Sequence, residues 1–375
     1  YERMNKRLGG GLLMNCFKGG VCGKSSDHFE MSGRELVVPR SEVAGCVDVD
    51  GFKAQLDALA SAEDGFWDEF TRTCQAVENH HSYLGRLTQS TPEVRKRNRY
   101  PNIICLEDTR VKLKDGRCDY INASVVDMGD YKYIAAQAPL VNTIEHFWQM
   151  CWENNVPCVA MLTQWVEHDR VKADKYFPLL CDTKVEYGNF VIECKDIDKS
   201  EESRGLVLRK FLFSKGSESR TISHVHFSKW PDFGSVENMD LYLSVHSMIR
   251  QATDGIRADM SMLDGPLVVH CSAGIGRTGT YIAVETILRD ISSACIGDRN
   301  GRYKLDIPAV LGKLRNCRPG MVFSSEQYKM VYEVIYWVVI GDRLGSSSNG
   351  SKRDRASLLA STKTDAEVYK RGARR

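Results

Sequence analysis

The sequence predicts an α/β or α+β domain built on a mixed β-sheet flanked by helices. Strand-like apolar runs alternate with segments of helical period. One run is continuous enough for the middle of a sheet, and the last third of the ordered pattern is helical. In chain order, Phe66, Phe70 and Cys74 recur at helical spacing, with Trp67 and Glu69 interleaved. Tyr131 to Ala138 reads as a strand. Ile144, Phe147, Trp148, Cys151 and Trp152 then mark one face of a helix. Val156 to Leu162 is an unbroken apolar run, as expected of a strand buried on both faces. Leu206 to Phe213 and Thr221 to Phe227 follow as strands. In the second, Val225 and Phe227 share one face and His224 and His226 the other. Paired histidines can ligate a metal, but no third ligand accompanies them, so a hydrogen-bonded polar face is the reading preferred. Leu267 to His270 is a short strand that runs into a glycine-rich turn and a helix, Thr278 to Ile291. Helices around Ile307 to Arg315 and Ser325 to Val339 complete the pattern.

The chain has 375 residues, 42% of them apolar, enough for a substantial core. A net charge of +2 gives no global attraction to nucleic acid. The 13 cysteines include no C-x-x-C pair, which argues for reduced thiols in a cytoplasmic protein rather than a disulfide framework or a zinc site. The longest apolar stretch, Val331 to Ile340, contains Glu333 and falls short of the ~20 residues of a membrane span. No secretory signal is evident. Residues 1–50 carry seven basic and seven acidic side chains without a period and read as a flexible extension. Within them Gly23-Lys24-Ser25 ends like a nucleotide-binding loop, but the required first glycine is Lys18. Residues 51–343 form the domain. Residues 344–375 read as a basic disordered tail, since positions 346–375 hold eight basic and three acidic residues. Such a tail has a weak capacity to touch an anionic membrane surface.

The chemistry concentrates at His270-Cys271-Ser272-Ala273-Gly274-Ile275-Gly276-Arg277-Thr278-Gly279. A strand delivers Cys271 to the tip of a turn whose glycines let the backbone curl around a ligand. Amides of Ser272 to Arg277 can point inward at a helix N-terminus, which makes an anion site. A thiol in that field loses its proton below the usual ~8.5. Arg277 supplies a planar fork for two phosphate oxygens, and Thr278 a hydroxyl for the sulfur. The set suits a thiolate that forms a phosphocysteine. Gly274-x-Gly276-x-x-Gly279 also fits a dinucleotide fingerprint. However, no second strand ending in an acidic residue follows.

This turn resembles the signature of the cysteine-dependent protein tyrosine phosphatases, specifically the non-receptor type, and the resemblance extends over roughly 65–341. It implies that family's highly twisted central sheet. It implies phosphotyrosine-containing proteins as partners, no cofactor and no metal. Cys271 becomes the nucleophile and Arg277 the phosphate ligand. Ser272, Ala273, Gly274, Ile275 and Gly276 become the cradle. Trp230-Pro231-Asp232-Phe233-Gly234 looks like the mobile acid loop, with Asp232 as general acid and base and Phe233 at the substrate. Asn98-Arg99-Tyr100 resembles the recognition loop, in which Tyr100 sets a pocket too deep for phosphoserine and Asn102 faces the peptide. Asp119 to Ser124 and Gln137 to Leu140 match structural motifs. Glu167 matches the residue that orients the arginine, and Lys172 the lysine near the acid loop. His270 is expected to hydrogen-bond behind the cradle. Uncharged cradle positions argue against a lipid phosphatase, and the loop around Tyr100 against a dual-specificity enzyme.

Two departures stand out. Where the family reads V-Q-T-x-x-Q-Y, this chain reads Val322-Phe323-Ser324-Ser325-Glu326-Gln327-Tyr328. Gln327 keeps the second glutamine, but Phe323 replaces the first, and a phenyl ring cannot position water. Slow release of the phosphocysteine, or substitution by Gln327, is the expectation. A phosphotyrosine-binding module of low turnover is the alternative. After Tyr100, Pro101 and Asn102 stand where relatives often carry a basic residue and Asp, which implies altered peptide selectivity.

Overall fold

Nine strands form one mixed sheet: β1 Arg110–Lys112, β2 Tyr120–Asp127, β3 Lys132–Ala136, β4 Cys158–Met161, β5 Lys184–Tyr187, β6 Phe190–Asp198, β7 Leu206–Lys215, β8 Glu218–Phe227 and β9 Leu267–His270. Their spatial order is β1-β2-β3-β9-β4-β8-β7-β6-β5. The middle, β3-β9-β4-β8, is parallel, and both flanks are antiparallel. This computed structural model describes residues 46–47, 49–80, 83–114, 118–230, 239–259, 265–295 and 303–343. The N-terminal extension up to residue 45, the Gly23-Lys24-Ser25 segment, residues 231–238 (with Asp232 and Phe233 of the expected acid loop) and the basic tail lie outside the described residues.

Eight helices pack on the sheet among the described residues: α1 Val49–Ser61, α2 Gly65–Glu78, α3 Pro92–Lys96, α4 Ile144–Glu153, α5 Met239–Asp259, α6 Gly276–Cys295, α7 Ile307–Cys317 and α8 Ser325–Arg343. Local chemistry sets several ends. Thr91 caps α3 through its side chain, and Asp306 caps α7 by accepting from Ala309 N at 2.9 Å, each ahead of a proline in the first turn. In α2, Phe70, Cys74 and Val77 are buried, the stripe that a 3.6-residue period produces.

Strand β9 shows why its apolar run is unbroken. Leu267 and Val269 enter the core beneath α5, α6 and α8, whereas Val268 enters the core of α4 and the aromatic side chains of β6 to β8. Both faces are buried, so both sets of alternate positions must be apolar. His270 follows Val268 on the second face and meets Phe147 and Tyr176. No helix among the described residues is long and apolar enough to cross a membrane. The predicted strands and helices all appear, within a few residues of their predicted ends.

Candidate active site

Cys271 leaves the C-terminal end of β9, where three parallel strands end side by side, and the next residues turn into α6. Gly274 has φ +72°, and a Cβ there would lie 2.1 Å from the Ala136 carbonyl oxygen, so only glycine fits. Arg318 braces this turn from behind. It donates from Nε to Gly274 O at 2.8 Å and from Nη2 to Ala273 O at 3.0 Å. It is anchored in turn on Asn122 Oδ1 at 2.6 Å. In a planar trans peptide the C=O and N–H point in opposite directions. Holding the Ala273 carbonyl outward therefore turns the Gly274 amide inward, toward the sulfur. Gln137, of the Gln137 to Leu140 motif, binds the backbone of Arg97 and Arg99 and so ties the recognition loop to β3.

Burial raises the pKa of the Cys271 thiol, but the Arg277 charge, the Thr278 hydroxyl and the backbone amides of Thr278 and Gly274 outweigh it, and the net shift is downward. Among the described residues Thr278 Oγ1 is buried with no other partner of hydrogen-bond geometry, which leaves its proton for the sulfur. Arg277 is 1% exposed and already oriented. Its Nη1 donates to Glu167 Oε1 at 2.6 Å and to Trp230 O at 2.9 Å, and its Nη2 lies 3.3 Å from Glu167 Oε2. Burial opposes the charge on Glu167, yet Arg277 overcomes it and holds the carboxyl below its usual range. Glu167 sits on a two-stranded ribbon, Val166–Glu167 with Arg170–Val171, and Lys172 Nζ lies 3.8 Å from its Oε2.

Ser272 joins the cradle to the recognition loop. Its Oγ donates to Lys172 O at 2.8 Å, because a carbonyl only accepts, and so it receives the Tyr100 hydroxyl at 2.8 Å. Asn102 is exposed and Ala273 half-buried, while Ile275 and Gly276 are buried. Trp230, the first residue of the W-P-D segment, is buried against Tyr242.

Behind Cys271 runs a directed chain of hydrogen bonds. His270 Nδ1 donates to Cys271 O at 3.0 Å. Burial pushes the His270 pKa down to about 3, so its Nε2 is unprotonated and accepts from Tyr176 Oη at 2.6 Å. Tyr176 Oη then accepts from His224 Nε2 at 2.7 Å. His226 Nε2 donates to Thr163 O at 2.9 Å. The two β8 histidines thus serve hydrogen bonds, and among the described residues no three His, Cys, Asp or Glu side chains group to hold a metal.

The Val322–Gln327 turn closes the other side. Val322 N donates to Ile275 O at 3.1 Å, and a Cβ on Gly279 would lie 2.4 Å from that nitrogen. Gln327 is 1% exposed, and its Oε1 accepts from Phe323 N at 3.0 Å. Its amide lies beside the cradle, 3.0 Å from where a Gly276 Cβ would stand. Arg318, Arg315 and Tyr176 are supports that sequence reasoning missed. A cation directly before Pro319-Gly320, next to the Val322 turn, was the available signal for Arg318.

The sheet thus carries, at its parallel centre, a buried thiol of lowered pKa beside an oriented guanidinium. Residues 94–337 match the family model described as Protein-tyrosine phosphatase. The chain is 34% identical to human receptor-type tyrosine-protein phosphatase zeta, over 81% of this chain and 13% of the relative. It is 34% identical to mouse tyrosine-protein phosphatase non-receptor type 20, over 67% of this chain and 55% of the relative. With human tyrosine-protein phosphatase non-receptor type 2 the identity is 35%, over 68% and 59%. The chain belongs to the protein-tyrosine phosphatase family. It spans less than two thirds of the length of these curated relatives.

Proposed function

We propose that this chain hydrolyses phosphotyrosine in proteins through a phosphocysteine on Cys271. One observation carries the reading: a buried thiol of lowered pKa adjoins an arginine whose fork Glu167 already holds in place. The thiolate attacks phosphorus while Arg277 and the inward amides take the charge gathering on the phosphoryl oxygens. Asp232 protonates the departing phenolate and later takes a proton from the attacking water. Tyr100, tied to Ser272, walls the substrate ring, and Asn102 meets the peptide. The named relatives are tyrosine-protein phosphatases, which favours protein phosphotyrosine over lipid substrates. The setting proposed is the cytoplasm, where thiols stay reduced.

For the second step we assign the water to Gln327, since Phe323 offers no polar atom on its side chain. The position of the Gln327 amide beside Gly276 supports this. Hydrolysis of para-nitrophenyl phosphate tests the scheme. The parent is expected to turn over, and Cys271→Ser to lose at least about 10⁴-fold. Absence of parental turnover, with retained binding of phosphotyrosine peptides, favours a binding module instead. Trapping of phosphoproteins from a lysate by Asp232→Ala tests the acid and names the substrates.

A further inference from the structure

A second concave site lies at the opposite end of the strand that carries the nucleophile. Strand β9 has four residues, so its two ends are about 10 Å apart. Its first residue, Leu267, pairs with Tyr133 of β3, and both line a cavity of about 190 Å³. The wall also holds Lys132, Arg257, Arg289 and Thr253, with Asp130 as the carboxylate among the described lining residues.

The cations of this wall are served unequally. Glu285 is fully buried and shared, binding Arg250 Nε at 3.0 and 3.1 Å and Arg289 Nε as well. His246 Nε2 lies 2.5 Å from Glu285 Oε2, and burial keeps that ring from charging readily. Arg257 is poorly served. Its Nη2 donates to Gly265 O at 2.9 Å, but its Nε is buried with no acceptor among the described residues. Among the described residues, the carboxylate of Asp254 stands 3.9 Å from its Nη1. At the rim Lys132 Nζ lies 3.4 Å from the exposed carboxylate of Asp127, and Asp130 is exposed as well.

We propose that this cavity is a second anion site and takes a phosphate group, as the free ion or on a phosphorylated side chain. Arg257 is the principal ligand, with Lys132 and Arg289 beside it. The volume admits a phosphate group, and the guanidinium fork matches two of its oxygens. The site is separate from the cradle. Arg289 lies twelve residues, about 18 Å, along α6 from Arg277.

Calorimetric titration of the full chain with inorganic phosphate tests the proposal. The parent is expected to bind two phosphates. Arg257→Ala is expected to bind one, with unchanged hydrolysis of para-nitrophenyl phosphate. Arg277→Ala removes the cradle site and leaves the rear one, so this result stands or falls apart from the phosphatase reading. Lys132→Ala, at a 62% exposed side chain, guards against misfolding and is expected to weaken the rear site about threefold. A single phosphate per chain that Arg277→Ala abolishes overturns the proposal. So does a second site that neither Arg257→Ala nor Lys132→Ala weakens. N-acetyl-phosphoserine amide separates the sources: its binding at the rear site assigns a phosphorylated side chain, and its failure where phosphate binds assigns the free ion.

Discussion

The cradle around Cys271 and the Val322–Gln327 turn touch each other, yet they are built on different terms. In the cradle, the conformation suits the residue at each position. Glycine stands at the left-handed φ of Gly274, and Arg318 and Glu167 brace what surrounds it. In the turn, a β-branched residue, Val322, is held at φ +53°. That is a costly conformation for valine, of order 1–3 kcal/mol. Two bonds from Arg315, to Met321 O at 3.1 Å and Val322 O at 2.9 Å, hold it there. In the scheme proposed above, the cradle serves the attack on phosphorus and the turn serves its release by water. On that reading the first step rests on a relaxed, fully matched scaffold. The second rests on a strained one, in which Phe323 stands where the family motif has an amide.

The largest way to break this comparison is Glu167→Gln. Removing one partner of a buried ion pair costs roughly 3–5 kcal/mol, so kcat/KM for a phosphotyrosine peptide should fall by about 10²-fold or more. An unchanged kcat/KM would mean that Arg277 needs no brace. Next is Phe323→Gln. Rapid mixing of the parent should show a burst of phenol followed by slow turnover, and the variant should lose the burst and turn over several-fold faster. No burst in the parent, with no gain in the variant, removes the assignment of a slow second step.

A third test addresses the hydrogen-bond chain behind the cradle. Burial holds the His270 pKa at about 3 and that of His226 at about 4, and keeps His224 well below its usual value. In the unfolded chain each takes up a proton near ~6.5 while the native ring does not. The unfolded state then binds more protons, so stability is complete above pH ~6.5 and falls as pH drops toward 4 and 3. Each histidine contributes up to about 1.4 kcal/mol per pH unit. Urea denaturation across this range should show the slope, and His270→Gln should flatten it. The smallest effect is at Val322. Alanine keeps the left-handed penalty and glycine does not, so Val322→Gly should be more stable than Val322→Ala by about 1 kcal/mol. The usual order, alanine above glycine, would show that the turn relaxes.

Much of the candidate site was legible because its chemistry is local. Cys271, Arg277 and the glycines lie within one turn, and the apolar strand before them announces itself. Helix α5 was not anticipated, although Tyr242, Val245, Ile249, Ala252 and Ile256 recur at helical spacing and are buried. The polar residues His246, Arg250 and Thr253, all at most 2% exposed, are buried beside that stripe. Their burial depends on Glu285 of α6 and on backbone partners, which lie outside the helix's own pattern. Strands β2 and β6 were likewise not anticipated. In β6, exposed Lys195 and Asp196 stand beside buried Ile192 and Cys194.

By itself the sequence determined the strand–turn–helix at Cys271, the helical stripes and the grouping of Cys271 with Arg277 and the glycines, because each depends on neighbours within a few residues. The tertiary structure alone decided what braces them. Arg318 reaches from the end of α7 to two cradle carbonyls, and Glu167 reaches from a separate ribbon to Arg277. It also placed Val322 and Gln327 against Ile275 and Gly276. Such contacts join segments that sit far apart in the chain, and no pattern along the sequence encodes the distance between them.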